Sequence, residues 1–291
     1  MRIGVVLPLF SGDPDKVLAA ARETEALGYD GAFVFDHFFP PGAAPDRPSL
    51  EAFTTLAAVA AVTERIRVGT LVTRASLRPP GILAKQASWI DAISGGRLIL
   101  GIGTGDETDA DEHRAFGLPL MGRGERRAHL LETVRALRSM FEGEGYSGGE
   151  RVPPLSGPLV PAAAPPIWVA GLADPVVRLA AREADGWNGW GLDAPAFARK
   201  AALLRAEAGD RTVEATWAGI VLVGRDDAEL AELKARRADR GMEDASWSGT
   251  AVELAGFLTQ LGREGAGWGI LVAAGPRDRR ELIAREVLPQ L

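Results

Sequence analysis

At 291 residues the chain is long enough for one α/β barrel, a fold that runs past ~250 residues as a single unit, or for two ordinary domains. Lys plus Arg number 33 against 39 for Asp plus Glu, and the formal net charge of -6 excludes the basic footprint of a nucleic-acid or anionic-membrane binder. The absence of cysteine removes disulfides, thiolate zinc sites and cysteine nucleophiles, and three histidines without clustered spacing argue against a catalytic metal cage.

The opening MRIGVVLPLF is too short an apolar run for a signal peptide, and no stretch approaches ~20 uninterrupted apolar residues, so a cytoplasmic chain without a membrane span is expected. Residues 3–7 (IGVVL) are uniformly apolar and rich in β-branched side chains, as in a strand buried on both faces of a parallel sheet. Residues 13–27 read as a helix, with Asp13 as cap, Pro14 in the first turn and Gly28 as stop. A strand over 32–35 ends in the polar pair Asp36 and His37, and a Pro- and Gly-rich loop fills 38–48. A helix over 50–63 leads to a strand over 66–71, and a helix over 81–93 leads to a strand over 97–102. The long helix over 125–141 repeats apolar residues at Leu130, Leu131, Val134, Leu137 and Phe141.

Residues 143–166, dominated by Gly, Pro, Ser and Ala, read as an excursion loop after the fourth βα unit, because the rhythm resumes unchanged beyond them. Strands over 167–170, 186–189, 216–223 and 270–273 then alternate with helices over 175–184, 195–208, 227–237, 251–261 and 279–288. Eight strands, each followed by helix, predict an α/β chain folded as a single (β/α)8 TIM barrel over 1–291. A doubly wound open sheet is the alternative.

In such a barrel the chemistry collects at the C-terminal ends of the strands. Asp36 and His37 stand at one such end, and His is the side chain that both gives and takes a proton near neutrality. Thr70, Leu71, Val72 and Thr73 close the third strand and offer hydroxyls to a ring heterocycle, although Thr is also a common strand residue. Gly101, Gly103 and Gly105 lack the third glycine of a dinucleotide fingerprint, Asp106 standing in its place. They read as clearing space for a flat ligand. The acidic run from Asp106 to His113 lacks the central glycine of a calcium loop and reads as a solvated loop, with Asp106 kept as a strand-end acid. Gly171, Leu172 and Ala173 lead into a helix, where backbone N–H groups form a natural phosphate site. Gly145 to Gly149 matches a hydrolase G-x-S-x-G pattern but has no strand before it and is set aside. Trp187 and Trp190 suit either a pocket mouth or the core, and His113 and His129 are expected at the surface.

The segments FVFDHF, TERIRVGT, LAKQASWIDAISGGRLILGIGTG, PPIWVAG, AAREADGWN and the closing EVLP resemble, nearly end to end, the bacterial luciferase-like (LLM class) flavin and deazaflavin oxidoreductases. The resemblance implies a (β/α)8 barrel with either coenzyme F420, an 8-hydroxy-5-deazaflavin, or FMN at its C-terminal mouth. It also implies Asp36 against the cofactor, His37 beside the reacting carbon and Thr73 at the ring edge. Thr70-Leu71 falls where members hold a non-prolyl cis peptide, Gly103 belongs to the shared SGGR-strand-GxG segment, and Asp106 stands where a catalytic Glu is found. Gly171, Leu172 and Ala173 match the loop for the cofactor's phosphate, without its customary Ser or Thr. Pro40 and Pro41 replace an aromatic that often follows the DHF signature, which argues against a sugar-phosphate substrate. The implied activity is hydride transfer between F420 and a small organic substrate, the implied assembly a homodimer. An FMN-dependent monooxygenase and a cofactor-free binding barrel are the alternatives.

Overall fold

The computed structural model describes residues 1–41, 46–105, 110–242 and 244–291. The first apolar run forms β1 (Arg2–Val6), and Asp13 caps α1 (Pro14–Ala26) by accepting from the Asp15 and Lys16 amides at 3.1 and 3.4 Å. Next come β2 (Gly31–Val34), α2 (Ala52–Val62), β3 (Arg67–Thr70) and a two-residue β4 (Thr73–Arg74), then α3 (Pro80–Ser94) and β5 (Leu98–Gly103). A short α4 (Ala110–Ala115) precedes α5 (Arg123–Phe141). The second half runs β6 (Ile167–Ala170), α6 (Asp174–Glu183), β7 (Gly186–Trp190), α7 (Ala194–Ala208), β8 (Glu214–Gly224), α8 (Asp227–Asp239), β9 (Trp247–Thr250), α9 (Ala251–Arg263), β10 (Ala266–Ala274) and α10 (Arg279–Glu286). Among the described residues no helix is long and apolar enough to cross a membrane.

Eight strands pair in parallel in the order β1-β2-β3-β5-β6-β7-β8-β10, and β10 pairs back onto β1 with Arg2 opposite Trp268 and Val5 opposite Leu271. The sheet is therefore a closed barrel, and the open-sheet alternative is excluded. Three elements depart from the sequence reading. β4 resumes pairing with β5 after β3 breaks off, and β9 adds to the far end of β8 outside the barrel. Residues 110–113 of the acidic run belong to a helix, α4, that continues to Ala115. The expected excursion over 143–166 is a loop, tied by an antiparallel bridge between Tyr146 and Leu155 and by Glu132, which accepts from the Arg151 and Val152 amides.

The strands bury two faces. Outward residues such as Val5, Val34 and Leu100 pack under the helices, whereas Val6, Phe33, Ile99, Trp168, Trp268 and Ile270 fill the barrel itself. Three aromatic side chains dominate that interior: Phe33 lies 6.0 Å from Trp168 and 5.7 Å from Trp268, ring to ring. They fit because the strands around them carry glycine. A Cβ on Gly4 would lie 2.7 Å from the Phe33 ring, and one on Gly69 would lie 2.9 Å from that ring and 2.6 Å from the Ile99 carbonyl oxygen. Gly69→Ala should therefore cost about 1–3 kcal/mol through overpacking against a backbone atom that cannot yield. Gly256, in α9 with open space around it, should gain about 0.5–1 kcal/mol on the same change. Urea unfolding midpoints of the two variants should move in opposite directions.

Candidate active site

Because every barrel strand is parallel, all C-terminal ends open at one mouth, and the sequence-predicted residues gather there. Asp36 and His37 follow β2, Thr70 ends β3, Leu71 links it to Thr73 of β4, Gly103 ends β5, and Gly171, Leu172 and Ala173 join β6 to α6. Asp106 lies outside the described residues. Alternation along β2 carries Phe33 and Phe35 into the barrel and turns His37 the same way. Its imidazole stands 6.4 Å from Phe35 and 6.5 Å from Phe10, and Phe35 is 5.9 Å from Trp190 on β7. The result is a half-buried imidazole on an aromatic column.

Charged pairs surround it. Asp36, with its side chain 1% exposed, accepts both arms of the Arg78 guanidinium at 2.5 and 3.2 Å. Arg78 also donates to Glu51 at 2.6 Å and to the Thr73 hydroxyl at 3.3 Å, and it lies over the Phe53 ring at 4.4 Å. Burial weakens the Arg78 charge, but Asp36 and Glu51 outweigh that and raise its pKa. On the other side, Glu112 of α4 accepts from Arg74, meets His37 Nδ1 at 3.2 Å, and accepts from the Phe38 and Phe39 amides at 3.0 and 3.4 Å. Burial pushes the Glu112 pKa up, but the His37 and Arg74 interactions prevail and hold it below the usual carboxylate range.

Glu112 and His113 correct the expectation of a solvated acidic loop, and of surface histidines, over this run. Both are buried, because α4 lies across the mouth with Glu112 on the β2 loop and His113 bonded at Nδ1 to the Pro119 carbonyl at 2.7 Å. His129 is half-buried, its Nε2 3.2 Å from the Ala75 carbonyl oxygen. Thr70 is fully buried and donates to the Gly101 carbonyl at 2.6 Å. The non-prolyl cis peptide is between Leu71 and Val72, one residue beyond the expected place. Gly101 and Gly103 make room for that segment: added Cβ atoms would run into the Thr70 carbonyl and Val72. Trp187 is core, stacked 5.8 Å from Phe197, and its indole donates to the Gly171 carbonyl at 2.8 Å; Trp190 faces the mouth. At Gly171 a Cβ would press on Val176 at 2.8 Å, so glycine is needed there for the turn into α6.

Arg74, Arg78, Glu51 and Glu112 have no counterpart in the sequence reading. Arg78→Met should cost about 3–5 kcal/mol by leaving a buried carboxylate unpaired. Arg78→Lys should cost less, since it keeps the charge but loses the fork. Both are read by urea unfolding. Burial also raises the Glu51 pKa, but the Thr54 and Phe53 amides and Arg78 win and lower it. Glu51 and Glu112 thus both titrate lower when folded than unfolded. Their stabilisation is complete above the ordinary Glu value of about 4.3 and is lost as pH falls through the lowered values. Acid titration of the parent against Glu112→Gln should show a stability gap that is present near neutrality and closes as pH falls below the ordinary Glu value.

The chain matches the sequence profile of the luciferase-like monooxygenase family over residues 1–280. An uncharacterised protein of Mycobacterium tuberculosis is 34% identical over 211 residues, covering 65% of this chain and 71% of that one. An F420-dependent glucose-6-phosphate dehydrogenase of Intrasporangium calvum is 33% identical over 186 residues, spanning 60% of this chain and 53% of that enzyme. The fold is similar to that of an F420-dependent secondary alcohol dehydrogenase solved with an F420-acetone adduct, with a TM-score of 0.84 over 99% of this chain and 98% of that one. At 18% identity this is a likeness of architecture. The profile match takes in every strand of the barrel and the whole His37 mouth, and the chain belongs to the luciferase-like monooxygenase family.

Proposed function

We propose that this luciferase-like oxidoreductase uses coenzyme F420 to move a hydride to or from a small organic substrate, with His37 carrying the accompanying proton. The observation that carries the reading is His37 itself: a half-buried imidazole at a barrel strand end, held at one nitrogen and walled by Phe10, Phe35 and Trp190. Relatives whose names specify F420 add to it.

The residues present fit such a cofactor. The Leu71–Val72 segment packs with the barrel interior at the mouth and offers an apolar support for a flat ring. Among the described residues no side chain caps α6, and Asp174 in its first turn is tied to Lys200 at 2.5 Å, so the N–H groups after Gly171 suit a phosphate. Gly171, Leu172 and Ala173 would hold the phosphate tail, and Leu71 and Val72 would border the ring, with Gly103 beneath Val72 and Thr73, fully buried and bonded to Arg78, in the wall beside them. When bound, F420 supplies the carbon centre that accepts or donates the hydride. His37 takes the hydroxyl proton of an alcohol substrate, or returns it to the carbonyl oxygen in the reverse direction. Asp36, locked by Arg78, keeps the β2 loop in register, and the aromatic walls limit water at the reacting centre.

The second reading, an FMN-dependent monooxygenase, has the family's name in its favour. In either case we propose a cytoplasmic enzyme of one barrel domain acting on a small molecule, away from nucleic acid and membrane. We also propose a homodimer, because α3 leaves Ile82, Trp89 and Ile93 exposed along one face.

Purification from a host making both cofactors, followed by an absorption spectrum, should show a deazaflavin band; a flavin band would favour the second reading. His37→Ala should lower turnover by about 10²–10⁴-fold with cofactor affinity unchanged, and hydride transfer at the parent's rate would remove His37 from the chemistry. Ala173→Asp should weaken cofactor binding by charge repulsion, read by fluorescence titration.

A further inference from the structure

We infer that Glu112, on α4 rather than on a barrel strand, is the positioning residue that holds His37 with its proton on Nδ1 and the Nε2 lone pair free for the substrate. The inference rests on the reading of His37 as the proton carrier. It deepens that reading by fixing which nitrogen works and which segment sets it.

The geometry leaves one consistent arrangement. Glu112 Oε1 is 3.2 Å from His37 Nδ1. An ionised carboxylate only accepts hydrogen bonds, so the nitrogen facing it carries the hydrogen. In the neutral ring Nε2 is then the acceptor, ready to take a proton. The carboxylate is ionised and immobile for separate reasons. Its side chain is 4% exposed and pairs with Arg74, itself 4% exposed, whose guanidinium also donates to the Asp36 carbonyl at 3.4 Å. The Phe38 and Phe39 amides donate to the same Oε1 that faces His37, so the carboxylate cannot turn away without stranding two backbone donors. The lowered Glu112 pKa agrees with this arrangement.

The helix that bears Glu112 is pinned as well. His113, the next residue, binds the Pro119 carbonyl and approaches Ser76 Oγ at 3.5 Å, and Phe116 packs on Phe38 with ring centres 4.4 Å apart. A carboxylate placed behind a reactive imidazole does two things: it selects the tautomer and it stabilises the cation formed when the ring takes a proton. A Glu112 that served only the loop would be satisfied by Arg74 and the two amides. The bond to Nδ1 is the part that reaches the chemistry.

The test reads the tautomer directly, without cofactor or turnover. Histidine labelled with ¹⁵N gives three imidazoles in this chain, His37, His113 and His129, and His37→Asn identifies the one of interest. Neutral His37 should carry its proton on Nδ1, whereas free histidine side chains favour Nε2. Glu112→Gln keeps an acceptor for Nδ1 and should keep the tautomer, but it loses the charge and should lower kcat about 10-fold. Glu112→Leu removes the acceptor, should revert His37 to the Nε2–H form and should lower kcat about 100-fold, with cofactor affinity unchanged. A neutral parent His37 protonated on Nε2 would overturn the inference, even if Glu112→Leu failed to fold. So would a folded Glu112→Leu that kept the Nδ1–H form. A parent with the Nδ1–H tautomer but no F420-dependent hydride transfer would uphold the Glu112–His37 geometry and sink the functional reading instead.

Discussion

Burial of two carboxylates, Asp36 and Glu112, is the constraint on which the mouth of this barrel depends. Each is almost fully removed from water, a step that costs several kcal/mol per ion unless the charge is matched and the lone pairs are filled. Arg78 matches Asp36 with both arms of its fork, while Arg74 and two backbone amides serve Glu112. The partners come from the loop after β2, the start of α2, the segment from β4 to α3, and α4. None of these segments can shift alone without stranding a buried charge, so the cluster makes one body of parts far apart in sequence. Among the described residues, Asp36, Glu51 and Glu112 share the guanidiniums of Arg74 and Arg78, and His37 meets the same Glu112 carboxylate.

Below the cluster, packing rather than charge sets position. Phe33, Trp168 and Trp268 fill the barrel against strands that supply glycine where bulk would collide. The same alternation that buries Phe33 places Phe35 one layer higher and His37 above it. His37 thus stands on an aromatic column and is held from the side by Glu112, so packing and a hydrogen bond fix its orientation together.

The barrel could be read from the chain because each strand is a short apolar run buried on both faces, and each helix carries caps and stops at the right spacing. Asp13, Pro14 and Gly28 do around α1 what their residue types imply. Positions of parallel strand ends follow from the same pattern, which is why Asp36, His37, Thr73 and Gly171 were found at one mouth. The failures have a common origin. β4 has only two residues, β9 (WSGT) is partly exposed and carries no apolar run, and the glycines of β5 read as room for a ligand although Thr70 and Val72 take up part of that room.

Residue pattern alone was thus sufficient for the alternating architecture and for placing His37 at the mouth where the strand ends gather, since these rest on local periodicity and on the parallel topology it implies. Pairing of Asp36 with Arg78 and of His37 with Glu112 needed the folded chain. Glu112 sits among acids that look alike in sequence, separated from His37 by 75 positions, and a composition rule assigns such a run to solvent. What distinguishes it is the turn of α4 across the mouth, which removes the Glu112 carboxylate from water and gives it an arginine, two amides and an imidazole. That outcome is decided by where helices and loops meet in space, and hydrophobic period carries no information about it.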